Sequence, residues 1–161
     1  MAKYTITRRC GHDEAHNICG PVEERDGKAE WLESGLCREC WLKEQAEARQ
    51  AANVIAAAAN KGNGLPTLSG SPKQVDWAEI IRAEKLREID THYAQMLETW
   101  ASRDLSTTQT EQIERGKVMF AAGLAALESE TRAAWWIDNK DRPGRLIVKQ
   151  IAEEIDAATT T

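Results

Sequence analysis

Cys10-Gly11-His12 and Cys37-Arg38-Glu39-Cys40 decide how the N-terminal part of this chain folds. A CxxC turn aims two sulfurs at one metal, and a glycine between Cys10 and His12 permits the tight turn that lets a thiolate and an imidazole converge. Three thiolates and one imidazole form a closed tetrahedral set for one zinc ion. No position is left for water, so the site reads as structural rather than catalytic. A redox CxxC would expect a thioredoxin-like βαβ context, which the surrounding residues do not offer. Two further donors compete. Cys19 in place of His12 would give four thiolates, but beside Ile18 in an expected strand it reads as a small buried hydrophobe. His16 reads as a solvated loop residue. The expected ligands are therefore Cys10, His12, Cys37 and Cys40.

Working outward, Tyr4-Thr5-Ile6-Thr7 alternates as a strand does, and Asn17-Ile18-Cys19 is its expected hairpin partner across the Cys10-Gly11-His12 turn. A helix is expected within 23–34, stopped by Gly35. Residues 41–60 are rich in Ala, Glu, Gln and Lys without proline or glycine, which favours another. Asn60-Lys61-Gly62-Asn63-Gly64-Leu65-Pro66 is a cluster of helix breakers and the expected linker. Ser71-Pro72-Lys73-Gln74 is a helix start with the signature of a capping box. Behind it Val75, Ala78, Ile81, Ile89, Tyr93, Met96 and Trp100 recur at helical spacing. Ser102 to Thr110 interrupts. Ile113, Phe120, Leu124 and Leu127 mark the next helix, Glu130 to Asn139 a third, and Leu146, Val148, Ile151 and Ile155 a last. The expected fold is mainly α with a small zinc-stabilised β-hairpin or ribbon module at the N-terminus. Its expected parts are the module over 1–42, a helix and linker over 43–64, and a helical domain over 65–158.

The chain has 161 residues, 42% hydrophobic and 29% charged, with six Trp and a net charge of −5. That balance disfavours general nucleic-acid binding, which needs clustered Lys and Arg. One stretch departs from it: Arg132, Lys140, Arg142, Arg145 and Lys149 stand against only Asp138 and Asp141 within 132–149. No apolar run suits a bilayer span, and the first residues lack a signal-peptide core, so a cytoplasmic protein is expected. In that compartment disulfides rarely persist, and clustered cysteines favour metal.

Cys-Gly-His near the start followed by Gly-Leu-Cys-x-x-Cys resembles a zinc-ribbon-like segment of uncharacterised bacterial and phage proteins. In such sequences a bulky apolar residue commonly stands at the place of Cys19, which supports His12 as ligand. The segments 65–82 and 134–139, containing Trp77-Ala-Glu-Ile-Ile-Arg82 and Ala134-Trp135-Trp136-Ile137-Asp138-Asn139, look like paired signatures of the same proteins. The resemblance implies a two-part architecture and brings no activity with it.

Among the helices, Trp77 is expected to pack against the segment carrying Trp135 and Trp136, with Glu79 and Arg82 exposed. Adjacent helical positions lie about 100° apart, so only one of Trp135 and Trp136 can sit at the centre of an apolar stripe. Trp77, Arg82, Trp135, Trp136, Arg142 and Arg145 are the candidate partner-binding residues. No phosphate-cradling glycine loop, G-x-S-x-G or HExxH motif occurs, and no enzyme is expected. These features point to a non-enzymatic zinc protein that acts through a protein partner, and a mobile element is an origin that suits it. The alternative is a nucleic-acid-binding regulator using Arg8, Arg9 and Arg38 or the 132–149 stretch.

Overall fold

The computed structural model describes residues 2–159. The chain is mainly helical, with one two-stranded hairpin beside a Cys/His cluster. It divides into two compact units, Met1–Ala51 and Ala52–Thr161.

In the first unit, β1 (Ala2–Thr7) pairs antiparallel with β2 (Asp13–Ile18), placing Ile6 opposite Glu14 and Tyr4 opposite His16. The two-residue period of a strand puts Ile6 and Ile18 on the buried face. The connecting turn is closed by Arg8 N–H donating to the His12 carbonyl at 2.9 Å and by Gly11 N–H donating to the Arg8 carbonyl at 2.8 Å. Gly11 has φ +79°, a conformation glycine adopts at little steric cost. Helix α1 (Val22–Ser34) buries none of its residues and is held at its end through backbone. The Leu32 carbonyl accepts from Gly35 N–H at 3.2 Å and from the Arg8 guanidinium at 2.6 Å. Helix α2 (Arg38–Gly62) starts inside the CxxC turn and continues into the expected linker. The boundary between the two units falls within it.

Asn60, expected to break the helix, is instead buried within α2. Its amide donates to the backbone carbonyl and the carboxylate of Glu79. A satisfied buried amide outweighs the weak helix propensity of asparagine.

In the second unit, α3 (Pro72–Ala101) begins with the expected capping box: Gln74 N–H donates to Ser71 Oγ at 3.4 Å and Ser71 N–H to Gln74 Oε1 at 3.1 Å. The same device opens α4 (Thr107–Glu128), with Ser106 and Gln109 in the two roles. Short α5 (Ala133–Asp138) and then α6 (Gly144–Thr159) follow. The core gathers Ala78, Ile81, Ile89, Leu127, Trp136 and Val148 from four helices, and Leu68 from the segment before α3. That segment is fastened to the turn before α5 by Ser69 N–H donating to the Thr131 carbonyl at 2.7 Å and Ala133 N–H to the Ser69 carbonyl at 2.9 Å. This backbone bridge joins the segment before α3 to the start of α5.

The apolar stripe expected on α3 faces inward, but Glu79 and Arg82, expected in solvent, are buried beside it, and Trp77 is not. Ala78, Ile81, Arg82, Lys85 and Ile89 face inward, and Trp77 is 48% exposed. Successive side chains on a helix turn by about 100°, so burying Ala78 carries Trp77 off the core arc. Arg82, expected in solvent, is 1% exposed. It is accommodated there because its guanidinium donates to the Glu79 carboxylate and to the Pro66 carbonyl, both at 2.7 Å.

Candidate metal centre

The turn of the β1–β2 hairpin supplies Cys10 and His12, and the start of α2 supplies Cys37 and Cys40. Their ligand atoms all lie within 4.8 Å of one another, an arrangement able to hold one metal ion. His12 points Nδ1 into the group, 3.4 Å from the Sγ of both Cys37 and Cys40. Zinc–sulfur and zinc–nitrogen bonds of about 2.3 and 2.0 Å at tetrahedral angles require S···N separations of about 3.5 Å. The donor set and its spacing therefore fit the zinc ion that the sequence suggests.

Backbone amides prepare the sulfurs for negative charge. Cys37 N–H donates to Cys10 Sγ at 3.3 Å, and Cys40 N–H donates to Cys37 Sγ at 3.4 Å. The Cys37 amide is the main reason the Cys10 thiol is lowered to about 6, with help from His12. Cys40 moves the other way, to about 11, because its thiol hydrogen-bonds to Cys37 and its ionisation is opposed by burial and by the neighbouring sulfurs. A crowd of thiols resists collecting several negative charges unless a cation shares them.

Cys19 lies outside this group. It follows the end of β2 and is exposed, so its reading as a buried small hydrophobe is corrected: the inward position of the strand belongs to Ile18. His16 is likewise corrected. It is a half-buried strand residue whose Nε2 lies 3.0 Å from the Arg8 guanidinium and 3.2 Å from the Glu14 carboxylate. Arg8 Nε donates to that carboxylate at 2.7 Å, and this bond is the main cause holding Glu14 below the ordinary carboxylate range. Glu14 also accepts from the backbone N–H of Arg38 at 3.4 Å, joining β2 to the CxxC turn. Period-two alternation places Glu14 and His16 on one face of β2, but the return of Arg8 from the hairpin turn onto that face is not legible in spacing.

The other candidate residues differ in exposure. Trp136 is buried, donating its indole N–H to the Glu130 carbonyl at 3.1 Å, while Trp135 is half-buried and packs edge-on against it at 5.3 Å. Arg82 is internal. Trp77, Arg142 and Arg145 are exposed. Most of the positive surplus between 132 and 149 is answered locally. Arg132 pairs with Glu130, Lys140 with Asp141 and Lys149 with Glu153, while Arg142 donates to Asn139 and Gln150.

Among the described residues, no helix is long and apolar enough to cross a membrane. No protein family, curated protein or solved structure matches the chain.

Proposed function

We propose that this chain is a non-enzymatic, zinc-binding interaction protein, in which one structural zinc ion shapes an N-terminal module that meets a protein partner. The observation that carries this reading is the closed group of Cys10, His12, Cys37 and Cys40. Four protein donors leave no coordination position for a substrate, so zinc here would stabilise a fold rather than act as a Lewis acid. The setting that suits three metal-binding thiols is a reducing cytoplasm, in a bacterium or a mobile element. Protein binding is favoured over nucleic acid by the net charge of −5 and by the ion pairs that Arg132, Lys140 and Lys149 make with neighbouring carboxylates.

Elemental analysis of purified protein tests the metal: the expected result is about one zinc per chain. His12→Ala should lose it and Cys19→Ala should keep it. The reverse pattern would move the fourth ligand to Cys19, and a folded first unit without metal would end the zinc reading. Cross-linking of the tagged chain in cells tests the partner. A protein retained at raised salt is expected, whereas retention of nucleic acid alone, lost steeply as salt rises, would overturn the protein-binding reading.

A further inference from the structure

The first unit carries a groove of about 570 Å³ that the metal cluster does not use. Pockets for small ligands and side chains span about 300–1,000 Å³. The hairpin turn at Arg8, strand β2, α1 and the beginning of α2 build it, and Arg8, Glu14, His16, Trp31, Arg38 and Trp41 give its character. Trp31 is 70% exposed and Trp41 52%. Indoles bring large apolar area and are ordinarily covered, either in a core or at an interface. Core packing does not account for Trp31, because the helix that bears it buries none of its residues.

The charges select among occupants. Arg8 is fully engaged by Glu14, His16 and the Leu32 carbonyl. The side chain of Arg38 has no carboxylate partner among the described residues, which leaves one surplus cation beside the two indoles. A phosphate chain is a poor complement. The adjacent helix α1 carries Glu23, Glu24, Asp26, Glu30 and Glu33 against Arg25 and Lys28. A single carboxylate can reach Arg38 without lying along that acidic helix, and guanidinium–carboxylate pairing is bidentate and directional.

We infer that this groove docks a protein segment in which an acidic residue stands beside a bulky apolar one, the carboxylate meeting Arg38 and the apolar side chain lying between Trp31 and Trp41. This inference rests on the protein-binding reading above and names the surface and the chemistry of the partner.

The test pans the full-length, zinc-loaded protein against a library of short random peptides, with single-stranded oligothymidylate as a parallel probe. Selected peptides are expected to carry Asp or Glu next to Leu, Phe or Trp, and to alter tryptophan fluorescence on binding. Arg38→Glu should weaken them by about tenfold or more, and Trp31→Ala by about fivefold or more, with zinc content unchanged. Trp31 lies on α1, outside the ligand-bearing turns, so this variant decides the matter should Arg38→Glu disturb the metal. Selected peptides without acidic residues, affinity unaltered by both substitutions, or tighter binding of oligothymidylate would each overturn the inference. If the peptides fail while the intact chain still retains a protein on cross-linking, the groove is wrong and the protein-binding reading stands. Failure of both removes the two together.

Discussion

Glu79 and Arg82, one turn apart on α3, form an ion pair at 2.7 Å that is almost wholly shielded from water. Glu79 also accepts from Asn60, and Arg82 donates to the Pro66 carbonyl, so the pair fastens the end of α2 and the following segment to α3. Removing one partner of such a pair strands the other charge in the interior, at a cost of about 3–5 kcal/mol. Arg82→Met should therefore destabilise the second unit by roughly that amount in urea denaturation. The double variant Glu79→Leu/Arg82→Met should lose distinctly less, because no charge is left unpaired. Equal losses would mean that the ion pair is not what holds the segment.

Metal removal should act on one unit only. Among its described apolar residues the first unit buries just Ile6, Ile18 and Cys37, too little to hold a fold without a cross-link. Chelation is expected to give rapid hydrogen exchange at the amides of the hairpin and α1, while the core amides of α3 and α6 stay protected. Persisting protection in the hairpin would show that the segment folds by itself.

Helices α4 and α6 approach closely at Gly123. A Cβ built there would stand 2.5 Å from the Val148 carbonyl and 3.1 Å from the Ala152 methyl. The first obstacle is backbone and cannot swing aside. Gly123→Ala should cost about 1–3 kcal/mol by forcing the helices apart, despite the better helix propensity of alanine. Thermal denaturation would detect it as a lowered midpoint; an unchanged or raised midpoint would mean that the helices yield without cost.

Glu130 supplies a pH-dependent contribution. Its carboxylate is held below the ordinary value of 4.5, first by the hydrogen bond from the Arg132 side chain, with burial opposing. A depressed folded-state pKa stabilises above the ordinary value, and that contribution fades as pH falls through the folded one. Since Arg132 is largely exposed, the effect should stay below about 1 kcal/mol. Glu130→Gln should lower stability at neutral pH, and the difference from the parent should close as pH falls below the ordinary carboxylate value of 4.5. Parallel curves for the two proteins down to low pH would assign the loss to something other than ionisation.

What the sequence by itself determined were the features governed by near neighbours along the chain. The ligand-bearing turns are short and their donors few, so the grouping of Cys10, His12, Cys37 and Cys40 could be read from spacing. The Ser71–Gln74 helix start could be read in the same way, because a capping box is built by residues three apart. The equivalent box at Ser106 and Gln109 was equally present in the sequence but lay inside a stretch read only as an interruption. The stripe of Ala78, Ile81 and Ile89 on α3 was legible too, but tertiary structure alone decided how wide the covered arc is: whether Trp77 or Arg82 flanks it inside depends on where Leu68, Trp136 and Val148 arrive. It also decided that Arg82 could be buried, because its partners include a carbonyl at Pro66. Cys19 and His16 exchanged their expected surroundings for a similar reason. Strand alternation fixes which residues share a face, but the face that is covered depends on what packs against the finished hairpin.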